Sequence, residues 1–172
     1  MDKAGFKSYT GGCQCGAVRF KVDGTLGEAS ICHCRMCQKA FGNFFAPLVD
    51  ARREHLTWTR GEPSFFASSD AVDRGFCSAC GTPLVFAYRD YPLIGLAIGA
   101  FDDPGAIPVT KQHWTSHQVA GTAGLFRLPS QPEDEPEFMD LIAKIDVSNH
   151  QHPDHDTPHW PMRPDMPDGP EK

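Results

Sequence analysis

Gly12-Cys13-Gln14-Cys15-Gly16-Ala17-Val18-Arg19-Phe20-Lys21-Val22-Asp23-Gly24 carries two signals in one short stretch. From Ala17 to Val22 apolar and polar residues alternate, and Asp23-Gly24 supplies a turn, so the run reads as a half-buried strand. Just before it, Cys13 and Cys15 stand two residues apart. In extended backbone, residues i and i+2 point the same way, so both thiols face one side. A thiol pair at a strand end has the spacing of metal ligands.

The other five of the seven cysteines repeat this habit, as Cys32-His33-Cys34-Arg35-Met36-Cys37 and Cys77-Ser78-Ala79-Cys80-Gly81. No cysteine lies outside the three clusters, a grouping that disulfide frameworks seldom show. Seven thiolates divide into four and three. Four close a structural zinc site, whereas three leave one coordination position open, as a catalytic zinc needs. In one division Cys13 and Cys15 join the Cys77/Cys80 knuckle, both pairs sitting at strand ends and preceding a glycine. The middle cluster, Cys32, Cys34 and Cys37, then caps the second ion alone. In the other division, Cys13 and Cys15 pair with two middle cysteines. His33, between two ligands, points away if Cys32 and Cys34 share a side. A rubredoxin-like iron site would need two Cys-x-x-Cys pairs and leaves the middle cluster unused.

Further strand-like runs are Asn43 to Val49, Leu56 to Thr59, Ser64 to Ala67, Val72 to Cys77, Leu84 to Tyr88 and Leu93 to Ile98. Short strands bounded by Gly, Pro or Asp predict a mainly β, sandwich-like fold. Cys34 to Phe41 predicts a short helix ended by Gly42. A second is predicted from about Glu135 to Ile145, with Asp134 as N-cap and Pro136 in its first turn. Its stripe of Phe138, Leu141, Ile142 and Ile145 should dock on the core. One domain is expected over residues 8–147. Ser148 to Lys172 is rich in Pro, His and Asp and reads as a tail, extended or partly disordered. Its His150, His152, His155 and His159 suggest either an extra metal site or a solvated segment draped over the domain.

A net charge of −6 with no basic block argues against nucleic-acid binding. The longest apolar stretch, Tyr91 to Phe101, is broken by Pro92, Gly95 and Gly99 and is too short to cross a bilayer. Met1 to Thr10 is polar and lacks the apolar core of an export signal, and clustered free thiols suit a reducing compartment, so a cytoplasmic location is expected.

Taken in order, Gly12 to Phe20, Cys32-His33-Cys34-Arg35-Met36-Cys37-Gln38-Lys39, Arg60-Gly61-Glu62 and Arg74-Gly75-Phe76-Cys77-Ser78-Ala79-Cys80-Gly81-Thr82 resemble the glutathione-dependent formaldehyde-activating enzyme family, or CENP-V/GFA domain. The resemblance covers about residues 8 to 115. It implies an Mss4-like fold of small antiparallel sheets around a structural zinc, with short helices. It also implies two zinc ions per chain, one structural at Cys13, Cys15, Cys77 and Cys80 and one catalytic at Cys32, Cys34 and Cys37. The implied activity is that of a carbon–sulfur lyase, an S-(hydroxymethyl)glutathione synthase-like enzyme with a small thiol such as glutathione as partner. The other expectation is a zinc-stabilised protein-binding module without catalysis. Arg35 and Lys39 are candidates to meet a substrate carboxylate, or else are solvated charges. His113 is a candidate substrate-binding group near zinc, or else a packed residue beside Trp114. Gln38 and the segment Thr115 to Gly124 depart from the family pattern.

Overall fold

The computed structural model describes residues 7–130 and 139–160. Among the described residues ten strands form two sheets. Strands β1 (Ser8–Gly12), β2 (Arg19–Asp23) and β5 (Leu56–Arg60) make an antiparallel sheet in the order β1-β2-β5. The larger sheet contains β3 (Ala29–Cys32), β4 (Ala46–Arg52), β6 (Ser64–Ser69), β7 (Val72–Phe76), β8 (Pro83–Tyr88), β9 (Leu93–Ala97) and β10 (Lys111–His113). Its order is β10-β3-β4-β9-β8-β7-β6. The mainly β fold with few short helices follows the expectation, but this sheet is larger than foreseen and one edge is parallel. Strand β10 returns alongside β3 after a long connection, which is what parallel pairing requires.

Side-chain alternation gives the seven-stranded sheet two different faces. Val49 and Ala51 of β4, Ile94 and Leu96 of β9, and Val85 and Ala87 of β8 are buried with Val18, Phe20 and Val22 of the small sheet and its approach. Phe20, fully buried, meets Trp58 and Phe101 edge to face at centroid distances of 6.0 and 5.1 Å. The opposite face carries a register-aligned row, Asp50 opposite Gly95, Gly95 opposite Phe86, and Phe86 opposite Arg74. One sheet thus builds the core on one side and displays polar groups on the other.

Helix α1 (Arg35–Phe41) starts on Cys34, whose sulfur accepts the Cys37 N–H, and ends on Gly42 at φ 56°. Gly42 adopts the left-handed conformation that glycine takes at least cost. Helix α2 (Met139–Ser148) lies where a helix was predicted, but its stripe does not dock: Leu141, Ile142 and Ile145 are at least 37% exposed. The core that the stripe was expected to cover is closed by β1, β2 and β5 instead. Asp134, Glu135, Pro136 and Phe138 lie outside the described residues, as do the last twelve residues of the expected tail. No described helix is long and apolar enough to cross a membrane.

Residues 152–160 run back over the Cys13–Cys15 bend. His152 N–H donates to the Gln14 carbonyl at 2.7 Å, and Trp160 Nε1 donates to the Cys15 carbonyl at 2.6 Å. Arg60 bonds both the carbonyl and the hydroxyl of Thr157. Buried Arg19 holds the two ends together. It grips Asp102 with two bonds of 2.8 and 2.6 Å and turns Nε to Asp156 at 2.9 Å.

Burial alone would raise the Asp102 carboxyl, but hydrogen bonds from Arg19 and Thr10 outweigh it and hold the group below its ordinary 3.8. A carboxylate depressed in the folded state contributes stability that is present above its unfolded value and lost as pH falls through the folded one. Asp102→Asn, which leaves Arg19 buried without its main counter-charge, is expected to cost about 3–5 kcal/mol. It should also flatten the acid limb of melting temperature against pH. Equal acid slopes for wild type and variant would remove this pair from the account.

Candidate metal centres

The first cluster joins the two sheets. Cys13 and Cys15 sit in the turn leaving β1, while Cys77 and Cys80 occupy the β7–β8 hairpin. All four sulfurs lie within 4.8 Å of one another, Cys13 to Cys15 at 3.6 Å and Cys15 to Cys77 at 3.9 Å. A tetrahedron with zinc–sulfur bonds of ~2.3 Å has an edge of about 3.8 Å, so the donors fit that ion. Backbone shapes each half: Val18 N–H points at the Cys13 sulfur at 3.2 Å, and Gly81 N–H closes the knuckle on the Cys77 carbonyl at 2.8 Å. Gly81 takes φ 79°, the left-handed turn expected after the second cysteine.

The electrostatics also fit a cation. Burial pushes the Cys13, Cys15 and Cys77 thiols up to about 11, with neighbouring sulfurs adding to the effect. Cys80 is brought down to about 6, burial being overcome by bonds from the Thr82 hydroxyl and N–H. Without an ion the cluster resists carrying more than a little negative charge. A divalent cation reverses that balance.

The second cluster is assembled from a strand end and a helix start. Cys32 ends β3, Cys34 caps α1 and Cys37 lies in its first turn, with all three sulfurs within 4.8 Å. His33 turns away as expected: it is 1% exposed, its Nε2 is 3.0 Å from Gln112 Oε1, and its ring meets Phe45 edge-on. Cys32 is further held from outside, because β10 pairs His113 with it and the His113 carbonyl accepts the His33 N–H at 3.0 Å. Gln38 is buried and donates to the carbonyls of His33 and His117 at 2.8 and 3.0 Å, so it braces the loop. Burial pushes the Cys32 thiol up to about 12 and also raises Cys37, although Arg74 works against the latter.

Sequence reasoning missed Arg74 as a site residue. It is 7% exposed, and its Nη2 lies 3.4 Å from the Cys37 sulfur. Its Nε donates to the Ser68 hydroxyl at 3.0 Å, its guanidinium lies 4.8 Å from the Phe86 ring centroid, and its Nη1 has no hydrogen-bond partner. The available signal was its place in Arg74-Gly75-Phe76-Cys77, one strand before a metal knuckle. Its partner lies 37 residues away, beyond any local pattern.

A cavity of about 860 Å³ opens over Cys32, Cys34, Cys37 and Arg74. None of Cys13, Cys15, Cys77 or Cys80 lines it. His113 does, with its Nε2 3.2 Å from Glu28 Oε1. Arg35 and Lys39 are exposed on α1 and are not among the lining residues. Among the described residues no histidine belongs to either thiol group, His150, His152, His155 and His159 included.

A family model for the glutathione-dependent formaldehyde-activating enzyme matches residues 8–117. An uncharacterized lyase of Schizosaccharomyces pombe is 31% identical over 82 residues, 48% of this chain and 59% of that protein. The match thus spans well under two thirds of that relative's length. A crystal structure of a Rhodobacter sphaeroides protein aligns with 60% of this chain and 98% of its own, at 23% identity and a TM-score of 0.47.

Gly16 tests how the first centre is supported. It takes φ 80°, and an added Cβ would stand 2.2 Å from Cδ2 of His152. Gly16→Ala should lose about 1–2 kcal/mol from the left-handed backbone alone. It should also expose the 152–160 segment to proteolysis. Wild-type melting and cleavage patterns in this variant would show that the segment does not support the bend.

Proposed function

Because the chain belongs to the glutathione-dependent formaldehyde-activating enzyme family, we propose that it is a zinc-dependent carbon–sulfur lyase acting on a hydroxymethyl adduct of glutathione or a related small thiol. The observation that carries this reading is the contrast between the two clusters. Four thiols are tied between sheets away from the cavity, whereas three thiols open onto it. A binding module has no use for an incomplete donor set at the floor of a cavity.

The chemistry that zinc supplies when bound at Cys32, Cys34 and Cys37 is Lewis acidity at an open position, suited to a thiolate sulfur or an aldehyde oxygen. The chain's own residues account for the rest. In the synthetic direction the thiol gives up its proton, its sulfur forms the carbon–sulfur bond, the carbonyl π electrons move to oxygen, and that oxygen takes up a proton in exchange. In the reverse direction the adduct hydroxyl gives up the proton and the carbon–sulfur bond breaks. Both directions pass negative charge between sulfur and oxygen. Arg74 holds a positive charge beside Cys37 with its Nη1 still unpaired, and thereby favours that charge without reorganising. Aromatic groups, Phe86, Tyr88, Tyr91 and Trp114, wall the cavity and give a substrate apolar surface to pack on. His113, which lines the cavity, is assigned to bonding substrate there. Arg35 and Lys39, on the solvent side of α1, are assigned to attracting a substrate carboxylate from outside.

Two zinc ions per chain are expected by elemental analysis, and a mild chelator should remove the three-thiol ion first. Cys80→Ser should lower both folding yield and melting temperature, because a structural site's binding energy is folding energy. Cys34→Ser should keep the fold, lose one zinc and lose activity. If the two variants are equally destabilised, the middle cluster is structural.

The activity test compares zinc-loaded wild type with Cys34→Ser for exchange between formaldehyde, glutathione and their adduct, followed by NMR above the uncatalysed rate. Arg74→Met should reduce the enzymatic rate by about a hundredfold, the scale of losing one preorganised charge partner. Identical rates for wild type and Cys34→Ser across several thiols would overturn the enzymatic reading in favour of a binding module.

A further inference from the structure

The cavity has a second polar end that the reaction does not use. On the face of the large sheet away from the core, the row Asp50, Gly95, Phe86, Arg74 crosses four adjacent strands. At ~4.8 Å per strand, Asp50 and Arg74 are anchored about 14 Å apart. Between them Gly95 contributes no side chain, and a Cβ there would come within 3.4 Å of the Phe86 Cβ, so a hollow lies on the floor. All four of these residues line the cavity.

The two ends carry opposite charge and each is incompletely paired. Arg74, at the thiol end, keeps Nη1 without a partner. At the other end Glu28 is paired with Lys111 and His113, whereas Asp50 has no hydrogen bond or ion pair to its carboxylate among the described residues. Asp50 is half-buried, and burial followed by the Glu28 charge raises its carboxyl above the ordinary value. An ionised carboxylate in that setting is stabilised by a cation, and the only one acting on it is His113, which is already paired with Glu28. Tyr88, Tyr91 and Trp114 line the same cavity with the aromatic faces that favour organic ammonium groups.

We propose that Asp50 receives the ammonium group at the far end of an extended thiol substrate whose sulfur lies at Cys32, Cys34 and Cys37. This rests on the lyase reading for the sulfur end alone. The length is set by the sheet: Glu28, opposite Asp50, lies four residues before Cys32 on the same run of chain, about 13 Å away. Subtracting a contact distance at each end leaves a gap on the order of 6–8 Å between sulfur and nitrogen at that strand rise. A two-carbon aminothiol is too short. A thiol with an ammonium group several bonds further out, as in a γ-glutamyl peptide, spans it.

The test pairs glutathione with its des-amino analogue, glutaryl-cysteinylglycine, which differs only in lacking the ammonium group. Wild type should prefer glutathione by tenfold or more in kcat/KM, the scale of one charge-assisted hydrogen bond. In Asp50→Asn, a near-isosteric change, the preference should collapse because glutathione loses while the analogue does not. A preference that survives in Asp50→Asn, or is absent in wild type, overturns the inference. The substrate comparison in wild type needs no variant to fold. Calorimetric binding of S-methylglutathione and its des-amino counterpart, neither of which can react, separates this inference from the lyase reading. A binding preference that depends on Asp50, without turnover above Cys34→Ser, would sustain the Asp50 assignment and sink the lyase. No binding preference sinks the assignment whatever the turnover.

Discussion

The junction of Cys13 and Cys15 with Cys77 and Cys80 is the constraint on which the rest depends. It fastens the turn after β1 to the β7–β8 hairpin, bringing together sulfurs 62 residues apart in the chain for Cys15 and Cys77. Loop closure over that length costs little more than over half of it, since the cost grows only with the logarithm of length. Structural zinc in small thiolate sites is worth on the order of 10–16 kcal/mol, comparable with the whole net stability of a domain, about 5–15 kcal/mol. A divalent ion held in this junction would therefore decide whether the two sheets stay together. The apolar core around Phe20 decides how they pack.

From that junction the division of labour across the large sheet follows. The face toward β1, β2 and β5 must be apolar because it is covered, and Val49, Leu96 and Val85 fill it. Among the described residues the other face has no sheet against it, and it carries Asp50, Phe86 and Arg74. The second thiol group needs both a strand and a helix. Cys32 belongs to a strand of that sheet, while Cys34 and Cys37 belong to the helix that rises from it.

Local chemistry was legible in the sequence, and remote pairing was not. Cysteine spacing, the Cys34-to-Gly42 helix and most strands rest on signals contained within a few residues. Strand β10, Lys111-Gln112-His113, has no apolar residue and forms through backbone pairing with β3, so no periodicity announces it. Strand β1 ends in two glycines, and Ala29–Cys32 merges into a motif dominated by its thiols. The α2 stripe has helical periodicity whether or not a surface awaits it, which is why docking was expected and not found. Arg74 and the residue 152–160 contacts rely on partners tens to more than a hundred residues away. The same alternation that predicted a strand at Val72 to Cys77 could not tell which face Arg74 would find.

The contacts from His152 and Trp160 to Gln14 and Cys15 also fix an order in time. A chain made from its N-terminus presents the first thiol pair early, and domains commonly begin to fold while synthesis continues. The bend that holds Cys13 and Cys15 receives its last hydrogen bonds from residues translated more than 130 positions later. Until then the pair is held by its own turn, by the Gln14 N–H bond to the Thr82 hydroxyl and by the bond from Arg60 to the Gly16 carbonyl. Capture of an ion by this pair and completion of the bend would thus be separate events, the second waiting for residues 152 and 160.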